Sequence, residues 1–169
     1  MSRVVLLTGS NHPDKEVILS RTASLLGERI GAITVASQIY YSEPWGFQAE
    51  RAFANQALAI DTTLSPHEVL DAALATEQTV GRDREAELRE KSTTGERYAS
   101  RTVDVDVMFY DNEIIDTPRL KVPHPLLHLR EFALEPLCEI MAEYRHPQLG
   151  RTLKDIYEEL KGDATAQKI

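Results

Sequence analysis

An α+β domain, one antiparallel sheet with helices packed on it, is the fold class that three observations predict. Stretches of alternating or continuous apolar, β-branched character recur at residues 4–8, 33–41, 53–60 and 101–109. Helical periodicity fills residues 13–30 and 65–80 between them. The resulting order is strand, helix, strand, strand, helix, strand, which matches a split βαββαβ unit with its helices on one face. With 169 residues there is room for one domain with a proper core, expected to span residues 1–161.

Taken in order, Val4 to Thr8 read as a buried first strand, stopped by Gly9-Ser10-Asn11. Pro13 opens a helix to about Ile30, with Val17, Ile18, Leu25, Leu26 and Ile30 inward, and Gly31 ends it. Ile33, Val35, Ser37, Ile39 and Tyr41 alternate along a second strand, followed by a turn-rich loop from Ser42 to Phe47. The third strand puts Phe53 and Asn55 on one face and Ala54, Leu58 and Ile60 on the other. Ser65-Pro66-His67-Glu68 is a capping box with proline at the first helical position. The helix it starts carries Val69, Leu70, Ala73, Leu74 and Val80 inward, and Glu77 shares the side of Leu70 and Leu74. A carboxylate at that edge requires a partner, in a salt bridge or in a site.

Periodicity disappears from Gly81 to Ser100, which reads as a long loop with room for a short charged helix around residues 83–91. The fourth strand then alternates strictly: Val103, Val105, Val107 and Phe109 on one face, Thr102, Asp104, Asp106 and Met108 on the other. Asp111-Asn112 turns into a short hairpin strand, residues 118–125 form an irregular connection, and helices follow at 131–142 and 152–160. The tail, residues 162–169, is expected to fray. The sheet order is that of a ferredoxin-like fold with an appended C-terminal hairpin strand and helices, a frame that hosts many functions.

Composition narrows the function. A net charge of −8 argues against a nucleic-acid or membrane-surface partner. Cys138 is the single cysteine, so neither a disulfide framework nor a cysteine metal site is expected. The amino terminus lacks the features of a signal peptide and no stretch approaches a membrane span, which predicts a cytoplasmic protein.

The chemistry concentrates near the fourth strand. Asp104 and Asp106 lie roughly 7 Å apart on one strand face and repel unless something positive lies between them, a basic side chain or a divalent cation. Arg82, Arg84, Arg89, Lys91, Arg97 and Arg101 precede them in a chain that is acidic as a whole. Guanidinium forks beside paired carboxylates suit a polyphosphate, and the competing reading is a charged loop balancing its own Glu85, Glu87, Glu90 and Glu96. His124 stands between Pro123 and Pro125, which stiffen its backbone, whereas His12, His67, His128 and His146 read as surface residues. Phe53 and Asn55, near Trp45, resemble one wall of a slot for a flat heterocycle, against the alternative of a core aromatic beside a turn-bonding asparagine. There is no P-loop, no Gly-x-Gly-x-x-Gly and no nucleophile elbow.

Arg97-Tyr98-Ala99-Ser100-Arg101-Thr102-Val103-Asp104-Val105-Asp106-Val107-Met108 resembles the signature of the 6-hydroxymethyl-7,8-dihydropterin pyrophosphokinase family of folate biosynthesis. Gly9-Ser10-Asn11, Pro44-x-Gly46, Phe53-x-Asn55, Glu77, Gly81-Arg82-x-Arg84, Val122-Pro123-His124 and Arg130-x-Phe132 extend the resemblance over about residues 4–160. It implies transfer of pyrophosphate from ATP, the co-substrate, to the pterin's hydroxymethyl oxygen, with release of AMP. It further implies that Asp104 and Asp106 bind two Mg²⁺ ions, which in two-metal sites sit roughly 3.5–4 Å apart. Glu77, Arg82, Arg84, Arg101, His124 and Arg130 would hold ATP, with Arg82, Arg84 and Arg101 catalytic and Arg119 and Leu120 near the adenine. Ser42, Pro44, Trp45, Gly46, Phe53, Asn55, Tyr98 and Phe132 would hold the pterin. Gly81 to Ser100 would close over bound ATP, and the enzyme would be monomeric. Positioning and charge neutralisation suffice for such a transfer without an evident general base.

The chain departs from the family pattern in places. The stretch between Arg84 and Arg101 is longer than in compact members. Ala99-Ser100 stands where many members have Gly-Pro, Tyr98 where a tryptophan is common, and Glu85 where a basic residue is common. Rival readings are a metal-dependent phosphohydrolase or ordinary kinase on the same sheet, and a ferredoxin-like binding domain without catalysis.

Overall fold

The alternating segments pair into a single antiparallel sheet. A computed structural model describes residues 1–42, 52–91 and 102–167, with the backbone alone for 83–91 and 163–167. Its elements are β1 (Ser2–Ser10), α1 (Lys15–Arg29), β2 (Gly31–Ala36), β3 (Tyr40–Ser42), β4 (Phe53–Thr62), α2 (Pro66–Lys91), β5 (Asp104–Tyr110), β6 (Ile115–Asp116), β7 (Lys121–Val122), α3 (Glu131–Met141) and α4 (Leu153–Gln167). The strands lie in the order β2-β4-β1-β5, with β3 also on β4, and all these pairs are antiparallel. This is the predicted split βαβ order. The β6–β7 ribbon forms the appended hairpin, so part of the connection expected to be irregular is a return strand.

Helices cover both faces rather than one. On the first face Val4, Leu6, Leu58, Ile60, Val105 and Val107 pack with Leu26, Ile30, Val69 and Ala73, from α1, its C-cap and α2. On the second, Val5, Leu7, Ala57, Ala59, Met108 and Phe109 pack with Ala133, Leu134 and Leu137 of α3 and Leu153 and Ile156 of α4. Period-two alternation in β1 and β4 makes this double packing possible, because both parities are apolar there. Each fully buried leucine contributes roughly 1.5–3 kcal/mol.

Local chemistry accounts for the boundaries and for several corrections. Ser65 and Glu68 form the predicted capping box, Glu68 N–H donating to Ser65 Oγ (3.3 Å) and Ser65 N–H to Glu68 Oε1 (3.0 Å). α2 does not stop at Gly81 but continues to Lys91. A solvated helix needs no apolar stripe in its outer turns, which explains the missing periodicity. The predicted strand 33–41 is two strands, because Ser37 breaks it. Its hydroxyl accepts Ala57 N–H (2.9 Å) and donates to Gln38 C=O (2.7 Å), while its own N–H donates to Ala57 C=O (2.9 Å). Gly31 is required at the start of β2, since a Cβ there would lie 1.9 Å from the Asp61 carbonyl oxygen.

A bulge alters β5. Val5 pairs with Phe109 but Leu6 pairs with Val107, so Met108 is the extra residue. Phe109 therefore joins Met108 on the α3/α4 face, contrary to the strict alternation, and Tyr110 takes the other face. Val17 and Leu74, expected inward, are exposed. His146, expected at the surface, is 3% exposed, lies edge-on to Phe109, and accepts the N–H groups of Gln148 and Leu149 at Nδ1. α4 runs to Gln167, into the segment expected to fray.

Candidate active site

Beyond the apolar cluster under α3 and α4, the same sheet face collects polar residues. Leu7 and Gly9 of β1 point to that face, and register places Asp106 beside Leu7 and Asp104 beside Gly9. Across the other edge of β1, Asn55 pairs with Gly9, and Tyr40 of β3 pairs with Asn55. Tyr40, Asn55, Gly9 and Asp104 thus form one row across four strands. At the usual strand spacing Asn55 and Asp104 stand roughly 10 Å apart, about the length of a bicyclic heterocycle and its substituent. Phe53, one pleat further out, pairs with Ser42 and is 39% exposed.

Gly9 and Asn55 are fitted to each other. A Cβ on Gly9 would lie 2.5 Å from Asn55 Nδ2, so only glycine leaves room for the amide. Asn55 is buried and its Nδ2 donates to Thr8 C=O at 3.4 Å. Its Oδ1 is a buried acceptor without a partner among the described residues. A buried, unsatisfied carbonyl costs about 1–3 kcal/mol, which a ligand N–H would recover.

The two carboxylates, each half-buried, are held by what grips β5. Val105 N–H, between the two acids on the edge strand, donates to Glu77 Oε2 of α2 at 2.8 Å. Ser10 Oγ donates to Thr102 C=O at 2.7 Å, just ahead of Asp104. Glu77 thus finds a partner in the backbone of β5. Among the described residues no three His, Cys, Asp or Glu side chains converge as a metal cage. A hard cation at Asp104 and Asp106 would complete its oxygen shell from phosphate and water, which fits a cation that arrives with a polyphosphate.

His124 follows a cis Val122–Pro123 bond and anchors to β5 by donating its N–H to Met108 C=O at 3.1 Å. Its Nδ1 accepts Leu126 N–H at 3.2 Å, which leaves the ring proton on Nε2 as a donor. Burial lowers its pKa, Asp106 opposes that shift and Arg130 reinforces it, which brings these three residues into one electrostatic neighbourhood. Arg130 caps α3, and its guanidinium lies 5.6 Å from the ring centre of Phe132, itself 38% exposed.

Other expected site residues lie on other elements. Arg82 is exposed on α2 and donates to Gln78 C=O. Arg119 pairs with Asp71 at 2.5 Å on the surface. Leu120 is buried in the α1/α2-side core, so its side chain cannot line the site face. Pro44, Trp45, Gly46, Tyr98 and Arg101 lie outside the described residues, as does the side chain of Arg84. Sequence reasoning missed Tyr40, whose place two residues before Ser42 on one strand was its only signal, and Ser10, hidden in the Gly9-Ser10-Asn11 turn.

These features define the class: a ferredoxin-like α+β enzyme with its site at the polar end of one sheet face. The model of the family described as 7,8-dihydro-6-hydroxymethylpterin-pyrophosphokinase matches residues 5–142, and the chain belongs to that family. It is a pyrophosphokinase of folate biosynthesis, using ATP and hydroxymethyldihydropterin. Similar proteins include 2-amino-4-hydroxy-6-hydroxymethyldihydropteridine pyrophosphokinases. That of Porphyromonas gingivalis is 31% identical over 88% of this chain and 96% of its own. That of Methylorubrum extorquens is 37% identical over 83% of each. The solved HPPK-DHPS of Plasmodium falciparum superposes with a TM-score of 0.73 at 14% identity, over 98% of this chain and 46% of that one, a likeness of fold. Among the described residues no helix is long and apolar enough to cross a membrane.

Proposed function

We propose that the row from Tyr40 to Asp104 carries the reaction, with the pterin over Asn55 and the triphosphate over Asp104 and Asp106. The buried Asn55 Oδ1 without a partner among the described residues carries this reading, since a pterin edge offers N–H donors to such an acceptor. Phe53 and Phe132, partly exposed, supply apolar faces for the ring, and Ser42, Pro44, Trp45 and Gly46 are assigned to the pterin as further contacts. His124 offers Nε2–H and Arg130 its guanidinium to phosphate oxygens, joined by Arg82, Arg84 and Arg101. Tyr98 would add to the pterin side and Arg119 to the adenine side.

Asp104 and Asp106 would hold two Mg²⁺ ions, and the donor set fits hard cations that keep open positions for phosphate. When bound, they would neutralise charge on the β- and γ-phosphoryl oxygens. The pterin hydroxymethyl oxygen attacks the β-phosphorus of ATP, the bond to the α,β-bridging oxygen breaks, and AMP leaves while the hydroxyl proton passes to solvent. This chain's residues align the two substrates and shield them, and that alignment is most of the catalysis. Glu77 acts from behind the strand by fixing the backbone between the acids. The enzyme works as a monomer in the cytoplasm.

Product analysis tests the reading. Purified protein with ATP, Mg²⁺ and 6-hydroxymethyl-7,8-dihydropterin should yield AMP and pterin diphosphate in equal amounts. ADP in place of AMP, or free phosphate without the pterin, would overturn it.

A further inference from the structure

The wall of the site beside Asn55 is held by a contact that joins the two elements flanking it. Tyr40 pairs with Asn55 on the same sheet face, and its hydroxyl donates to Glu139 Oε1 of α3 at 2.7 Å. Glu139 also accepts Gln38 N–H, at 3.1 and 3.2 Å to its two oxygens. One carboxylate thereby captures both ends of the short segment that leads into β3. The hydrogen bond to Glu139 pushes the Tyr40 phenol up to about 12, so the hydroxyl stays protonated and remains a donor.

Glu139 stands seven residues after Phe132 on α3, nearly two full turns, so both side chains project from the same side of the helix about 10 Å apart. β3 and β4 carry Ser42, Phe53 and Asn55, and α3 carries Phe132. On the proposed placement of the pterin, the ring slot lies between these two elements. We propose that Glu139 and Tyr40 form a clasp that sets the width of the pterin slot, and that both are positioning residues for the pterin and not for ATP. The proposal rests on the placement of the pterin at Asn55. The clasp lies on the far side of Asn55 from Asp104 and Asp106, so it acts on one substrate alone.

Equilibrium binding to the full chain separates the possibilities. The probes are fluorescent 6-hydroxymethylpterin and, independently, a non-hydrolysable ATP analogue with Mg²⁺. Glu139→Ala should weaken pterin binding about tenfold, the loss of a hydrogen bond to a charged acceptor, and leave the nucleotide affinity unchanged. Glu139→Gln should recover most of that affinity, because its amide oxygen accepts from the same donors. Tyr40→Phe, which keeps the ring, should show a smaller loss and serves if Glu139→Ala does not fold. Unchanged pterin affinity in these variants, or an equal loss for both ligands, overturns the clasp. Asn55→Ala is the control. If it binds pterin like the unaltered protein, the placement beneath the proposal fails; if it loses pterin while the clasp variants bind normally, the clasp alone fails.

Discussion

The two faces of the sheet use the same strands differently. On the α1/α2 side, apolar side chains run along β1, β4 and β5 as one packed surface. The α3/α4 side changes character midway along. Val5, Leu7, Ala57, Ala59, Met108 and Phe109 pack under helices, whereas Gly9, Asn55, Asp104 and Asp106 lie beyond that apolar cluster. The half covered by helices supplies rigidity and the polar half the functional groups, only one or two pleats away. A site built this way inherits precise spacing from the ladder without requiring loops to supply it.

The contrast predicts that changes in the two halves separate cleanly. The largest effect belongs to the polar half: Asp106→Asn should lower kcat/KM by about 10²–10³-fold with an unchanged melting temperature. A parallel loss of stability would show that the carboxylate serves the fold. Next, Leu137→Ala, beneath the covered half, should cost about 2–5 kcal/mol in denaturant unfolding while the folded fraction keeps its turnover. Selective loss of turnover there would mean the halves are not separable. Glu77→Ala should lower activity by about tenfold through a slack β5, with Glu77→Gln restoring it, because an amide oxygen still accepts Val105 N–H. Failure of the glutamine variant would show that Glu77 serves through its charge.

The smallest effect concerns pH. Burial, reinforced by His128, lowers the pKa of His146 below its ordinary 6.5. Above that value neither folded nor unfolded chain is protonated there and His146 contributes nothing to pH dependence. As pH falls through 6.5 the unfolded chain takes up the proton first, so stability declines with acidification. His146→Asn, whose Oδ1 can accept the same N–H groups as Nδ1, should flatten the decline in unfolding curves between about pH 7.5 and 5.5.

Much of this was legible in the chain because it is local. Alternation placed Phe53 with Asn55 and Asp104 with Asp106, and the capping box marked the start of α2. The second helical layer was not legible, since residues 131–142 read as helical without showing which face they cover. Nor was the bulge at Met108, which depends on how β1 and β5 match over their length and not on either alone. α2 overran its predicted end because charged turns carry no periodic signal. His146 and the Tyr40–Glu139 contact were hidden for a different reason. Their partners, Phe109 and the segment before β3, are distant in sequence, and only packing brings them together.

The fit between Gly9 and Asn55 has a consequence for how such a site can vary. With 2.5 Å between a would-be Cβ and the amide nitrogen, a side chain at position 9 would have to displace the Asn55 amide. Alanine in place of Gly9 should be harmful while Asn55 is present. It should be far better tolerated together with Asn55→Gly or Asn55→Ala, where the obstruction is gone but the pterin acceptor is too. The backbone hydrogen on one strand and the amide on its neighbour therefore share one space.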